Sequence, residues 1–176
     1  MAFNLLITGG LGYIGSGLIS CLPNDITVID NLYTQRYCSL FNHSSKFTFI
    51  EKDFNDITIS DLQPFDCVIH LAAIVDAANS EQQRDLVEKV NTQDTIAFLY
   101  KCNQADTKVI FPSSTSVYGT SNEIVYEDDL SALKPQSVYA QSKMMVENSI
   151  QKIEALNSQQ YQGSAFDKFM MRSQRA

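Results

Sequence analysis

Phe3-Asn4-Leu5-Leu6-Ile7-Thr8-Gly9-Gly10-Leu11-Gly12-Tyr13-Ile14-Gly15 decides the reading of this chain. Leu5-Leu6-Ile7 is a continuous apolar run, the signature of a strand buried on both faces of a parallel sheet. Three glycines follow at fixed spacing. Gly9 permits a tight turn off the strand end. Gly12 lets backbone come close to a phosphate, because no Cβ intervenes. Gly15 lets the next helix pack tightly on the sheet. That helix opens with free N–H groups and the positive end of its dipole, which suits a pyrophosphate. A glycine-rich turn without a ligand would show the same residues, so the discrimination falls to the rest of the chain.

Outward from this stretch the chain alternates strand and helix. Leu18, Ile19 and Leu22 sit at helical spacing, and Pro23-Asn24 stops them. Ile26-Thr27-Val28-Ile29 reads as a second strand ending at Asp30, twenty-one residues after Gly9. An acid at this place accepts hydrogen bonds from the ribose hydroxyls of a bound dinucleotide. Its charge repels a 2′-phosphate, which favours NAD over NADP. Lys46–Glu51 reads as a third strand ending near Asp53, followed by a short helix around Ser60-Asp61-Leu62. Asp66–His70 reads as a fourth strand opening into Leu71-Ala72-Ala73, whose small residues let a flat group lie on backbone. His70 reads as a structural histidine. A long helix is expected over 80–102, a fifth strand over 108–111, and a polar, acidic connection over 120–136. A second long helix follows over 137–157, and a sixth strand over 166–172. This order predicts a single α/β domain over 1–176 with a doubly wound parallel sheet.

The 176 residues carry a net charge of −7 and no basic stripe, which argues against a nucleic-acid partner. No apolar run is long enough to span a membrane. Cys21, Cys38, Cys67 and Cys102 are scattered, without metal-ligand spacing or a disulfide framework, so free thiols in the cytoplasm and no metal are expected.

Tyr139 and Lys143 stand four apart in a predicted helix and share a face. A tyrosine hydroxyl titrates near about 10 and is a poor base at neutral pH; a neighbouring ammonium would lower that value. The spacing is common by chance. Here it follows a strand whose end carries Ser113 and Ser114, at the sheet edge where the glycine loop lies, and ligands of open α/β sheets bind at that edge.

Taken together, Thr8–Gly15, Asp30-Asn31-Leu32, Asp53-Phe54, His70–Ala73, Asn91, Ser113–Gly119 and Tyr139-Ala140-Gln141-Ser142-Lys143 resemble the extended short-chain dehydrogenase/reductases, in the NAD-dependent epimerase/dehydratase family typified by UDP-glucose 4-epimerase. The resemblance implies a Rossmann fold with NAD as cofactor and a nucleotide sugar, UDP- or dTDP-linked, as substrate. Ser114 would bond the reacting oxygen, Tyr139 would be the acid/base, and Lys143 would hold the nicotinamide ribose. Gly9, Gly12 and Gly15 would border the pyrophosphate, with Tyr13 and Ile14 at the helix start. Asp30 and Asn31 would take the adenosine ribose, and Asp53 and Phe54 would flank the adenine. Leu71, Ala72 and Ala73 would line the cofactor. The resembling dehydratases carry an Asp-Glu pair after the catalytic Thr. Thr115-Ser116 stand there instead, which favours epimerisation over dehydration, with a simple dehydrogenase or reductase next. The resemblance also implies that the smaller substrate lobe is missing after Ala176. The alternatives are a non-catalytic NAD-binding module, an inactive truncated fragment, or a chain that folds poorly alone. The family's pairing of the two long helices implies a homodimer.

Overall fold

A computed structural model describes residues 3–23, 25–41, 47–75, 81–120, 124–126 and 129–160. The strands β1 (Asn4–Thr8), β2 (Asp25–Asp30), β3 (Thr48–Glu51), β4 (Cys67–His70) and β5 (Lys108–Ile110) form one sheet in the order β3-β2-β1-β4-β5. Every pairing is parallel, with Leu5 level with Ile26 on one side and Cys67 on the other. The winding direction reverses at β1, so the carboxyl ends of β1 and β4 open a crevice at the switch point.

Period-two alternation explains the continuous apolar run in β1. Leu6 joins Val68, Val109, Phe98, Val146 and Ile153 in the core on one face. Leu5 and Ile7 join Ile19, Val28 and Ile69 in the core on the other. The first core lies beneath α2 (Ile59–Leu62), α4 (Thr95–Gln104) and α5 (Val138–Gln160). The second lies beneath α1 (Tyr13–Cys21). This is the doubly wound α/β architecture expected from the strand–helix alternation.

Helix α1 begins at Tyr13, the start that the resemblance implies. Other elements differ from the sequence-based expectation. The long helix is not uniformly α: α3 (Arg84–Val87) runs into a π-helical segment, Glu88–Asp94, and then into α4. Strand β5 ends one residue early, at Ile110. The long polar connection contains a 3₁₀ turn at Leu130–Ala132, and Lys134 N–H donates to the Val117 carbonyl at 2.9 Å, tying it to the 3₁₀ turn Thr115–Tyr118 that follows β5. The expected strand at 166–172 lies outside the described residues.

Candidate cofactor and catalytic site

The three glycines of the β1–α1 loop do different work. Gly9 has φ +67°, and a Cβ there would lie 2.6 Å from Ala72 Cα, so it is required both by its turn and by the close passage of the β4 exit. At Gly15 a Cβ would lie 2.3 Å from the Gly10 carbonyl oxygen, so this glycine lets α1 close on its own entry loop rather than on the sheet. Gly10, to which the sequence assigned no role, closes on Val28, where a Cβ would stand 2.7 Å from Cγ1. A Cβ at Gly12 would meet only the Gly9 carbonyl, at 3.2 Å. Its backbone (φ −66°, ψ 175°) is open to any residue. The space at Gly12 is therefore left for something other than protein. No side chain caps α1 at Gly12, so the N–H groups at its start are available to an anion.

A cleft of ≈ 670 Å³ runs along this loop, within the usual range for a small-molecule site. Of the residues expected at the site from sequence, Gly9, Gly12, Tyr13, Ile14, Gly15, Asp30, Asn31, Asp53, Phe54, Leu71, Ala72, Ala73, Tyr139 and Lys143 all line it. At one end, Asp30 Oδ2 accepts from Leu11 N–H at 3.2 Å and Oδ1 from Leu32 N–H at 2.9 Å. Each oxygen keeps a further lone pair for a ribose hydroxyl. Asn31 Nδ2 donates to Asp53 Oδ2 at 2.8 Å, which closes that end. Tyr33 and Arg36 also line it, and the sequence missed them. They lie in a loop without periodicity, where position carries no signal.

The middle of the cleft is held by the π-helical segment. Asn91 is 2 % exposed. Its Oδ1 accepts from Ile74 N–H and its Nδ2 donates to the Ile74 carbonyl, both at 2.8 Å, so it clamps the β4 exit that carries Leu71-Ala72-Ala73. Below it His70 is sealed off. Thr95 donates its single hydroxyl proton to the Val90 carbonyl at 3.0 Å, so it accepts from His70 Nε2–H at 3.2 Å, and Nδ1 accepts from the Thr8 hydroxyl at 2.7 Å. Phe54, Phe98 and Phe111 surround the ring. The histidine is neutral and structural.

At the other end, α5 faces the exit of β5. Lys143 Nζ donates to the Pro112 carbonyl at 3.0 Å and lies 4.4 Å from the centre of the Phe111 ring. Burial pushes its ammonium down to about 8, against the pull of Glu147 in the other direction. Ser114 hydrogen-bonds the Tyr139 side chain, and its Oγ lies 2.7 Å from Ser116 Oγ. Ser114 itself does not line the cleft; its neighbour Ser113 does. The expectation that Lys143 lowers the Tyr139 titration is corrected here. Burial moves the phenol up, the Ser114 bond works against that shift, and the ammonium sits 5.8 Å from the ring centre while bonded to Pro112.

A parallel doubly wound sheet with an uncapped helix start and an acid at the end of β2 defines a dinucleotide-binding protein of the Rossmann type. The chain belongs to the NAD dependent epimerase/dehydratase family, whose profile matches residues 5–163. It is 30% identical over 168 residues to a UDP-glucose 4-epimerase of Yersinia pestis, covering 88% of this chain and 49% of that one. It superposes with TM-score 0.75 and 30% identity on the UDP-glucuronic acid 4-epimerase of Bacillus cereus in complex with UDP-glucuronic acid and NAD, covering 87% of this chain and 52% of that one. An NAD-dependent NDP-hexosamine 5,6-dehydratase involved in tunicamycin biosynthesis superposes with TM-score 0.74 at 28% identity, over 85% of this chain and 49% of that one. The chain spans about half the length of the curated relatives it matches.

Proposed function

We propose that this chain is the NAD-binding and proton-transfer part of a nucleotide-sugar epimerase-type enzyme acting on a UDP- or dTDP-sugar. One observation supports this above others: Tyr139 and Lys143 line the same cleft as Gly12, the uncapped start of α1 and Asp30, and Ser114 stands beside Tyr139 just outside it. NAD, when bound, supplies a reversible hydride acceptor for a sugar carbon. The chain's own residues do the rest. Gly12 and the N–H groups at the start of α1 hold the pyrophosphate, and Asp30 holds the adenosine ribose. In its phenolate form, which the Ser114 contact favours, Tyr139 would take the proton of the reacting sugar hydroxyl and, as the phenol, return it; Ser114 fixes that oxygen, and Lys143 holds the nicotinamide ribose. Residues 114–116 supply only hydroxyls, and Ser116 is turned onto Ser114. No carboxyl stands there to eliminate water, which supports epimerisation over dehydration. A cytoplasmic homodimer belongs to the same reading. The exposed Tyr100, Met145 and Leu156 on α4 and α5 support the dimer, and four free cysteines support the compartment.

Tyr139→Phe tests the catalytic part. It deletes the proton acceptor, so turnover of a UDP-sugar falls by about 10²–10⁴-fold while NAD affinity changes little. An unchanged rate would overturn the assignment of Tyr139. NAD binding without turnover in the wild type would reduce the protein to a cofactor-binding module.

A further inference from the structure

Glu147 is 2 % exposed, a carboxylic acid inside the molecule to which the proposed chemistry gives no task. It lies one turn beyond Lys143, so Tyr139, Lys143 and Glu147 repeat at i, i+4 and i+8 on the face of α5 that meets the β5 exit. Each engages one of three consecutive residues there. Tyr139 is bonded by Ser114, Lys143 by the Pro112 carbonyl, and Glu147 Oε1 accepts from the Ser113 hydroxyl. We propose that Glu147 is a positioning residue that pins the β5 exit through Ser113 and supplies the counter-charge holding Lys143 as an ammonium beside the site. The inference rests on the reading of Lys143 as a ribose-binding cation.

The surroundings of Lys143 leave this work to Glu147. Lys143 is 7 % exposed, so water screens its charge little. From the β5 exit it meets a carbonyl and the Phe111 ring, both uncharged. From β4 it meets His70, which is neutral and whose protonation it opposes. From its own helix it meets the Tyr139 ring and the charge of Glu147. An ammonium taken out of water reverts to the amine unless an opposite charge compensates. Among these groups the carboxylate is the one that can compensate. The Ser113 bond holds it in place without adding charge.

The test follows Lys143 directly, by the pH titration of its ¹³C-labelled ε-carbon in the whole chain, with the signal assigned by its absence in Lys143→Met. The expected wild-type midpoint is about 8. In Glu147→Gln, which keeps an acceptor for Ser113 and removes the charge, the midpoint falls by about one pH unit or more. In Ser113→Ala, which keeps the charge, it stays within a few tenths of a unit. An unchanged midpoint in Glu147→Gln would overturn the proposal, as would an equal fall in Ser113→Ala. If Glu147→Gln does not fold, Glu147→Asp takes its place: the charge stays but withdraws by one methylene, and a midpoint equal to wild type would overturn the proposal. Calorimetric titration with NAD on the same samples separates the two layers. Midpoints that move as expected with no NAD binding in the wild type would sustain Glu147's role and refute the cofactor reading.

Discussion

Gly12→Val is expected to lose NAD binding while the protein keeps nearly its full stability. The backbone at Gly12 is ordinary for an L-residue, and the new Cβ meets only one carbonyl oxygen, at 3.2 Å. The isopropyl group therefore fills the space reserved for the pyrophosphate without disturbing the sheet. It forfeits two or more charge-assisted hydrogen bonds from the start of α1, each worth about 1.5–3 kcal/mol, so affinity falls at least about a hundredfold. Gly15→Ala behaves differently. Its Cβ would stand 2.3 Å from the Gly10 carbonyl oxygen, a backbone atom that cannot rotate away. Overpacking of this kind costs about 1–3 kcal/mol, visible as a lower urea midpoint before any ligand is added. Calorimetric titration with NAD and urea denaturation of both variants separate the effects. Equal loss of stability in the two would contradict the division of labour along the loop.

Acid is the second strong lever, and it acts through His70. Burial, with a smaller contribution from the Lys143 ammonium, pushes the imidazole down to about 3 from an ordinary value of 6.5. Its folded value is lowered, so below pH 6.5 the unfolded chain binds a proton that the folded chain refuses. The stability tied to neutral His70 is fully present above 6.5 and is lost as pH falls toward 3. Between pH 7 and pH 5 the loss amounts to about 2 kcal/mol. Asp61, held down to about 2 by its backbone bond from Thr58 and its side-chain bonds to Lys52 and Thr58, titrates below this window. Urea midpoints measured across the window fall steeply in the wild type and more shallowly in His70→Gln, which cannot titrate. The ring resonances of His70 in the wild type stay those of a neutral imidazole at pH 5. An imidazole that titrates near its ordinary value would refute this account.

Much of the architecture was legible because it is written in local chemistry. The run Leu5-Leu6-Ile7 is apolar throughout because both faces of β1 are covered, and a strand of that kind belongs in a parallel sheet. The glycine spacing and Asp30 name the crevice because tight turns, close approach and a carboxylate are demands that few residue types meet. Other features escaped because their signals are not local. The π-helical turn at Glu88–Asp94 leaves no mark in a 3.6-residue period, yet it brings Asn91 to Ile74. The burial of Glu147 against Ser113 leaves no mark in the sequence, because it depends on the β5 exit lying across α5. The tuning of Tyr139 and Lys143 depends on burial, and pair spacing carries no information about burial.

The central claim is that this chain binds NAD in the cleft above β1 and β4, and calorimetric titration of the folded protein with NAD and NADP tests it most directly. The account predicts saturable binding of NAD, weaker binding of NADP because Asp30 meets the added phosphate, and loss of that preference in Asp30→Ala. A cooperatively folded protein that binds neither dinucleotide, or one whose affinity and preference are untouched in both Gly12→Val and Asp30→Ala, would contradict it.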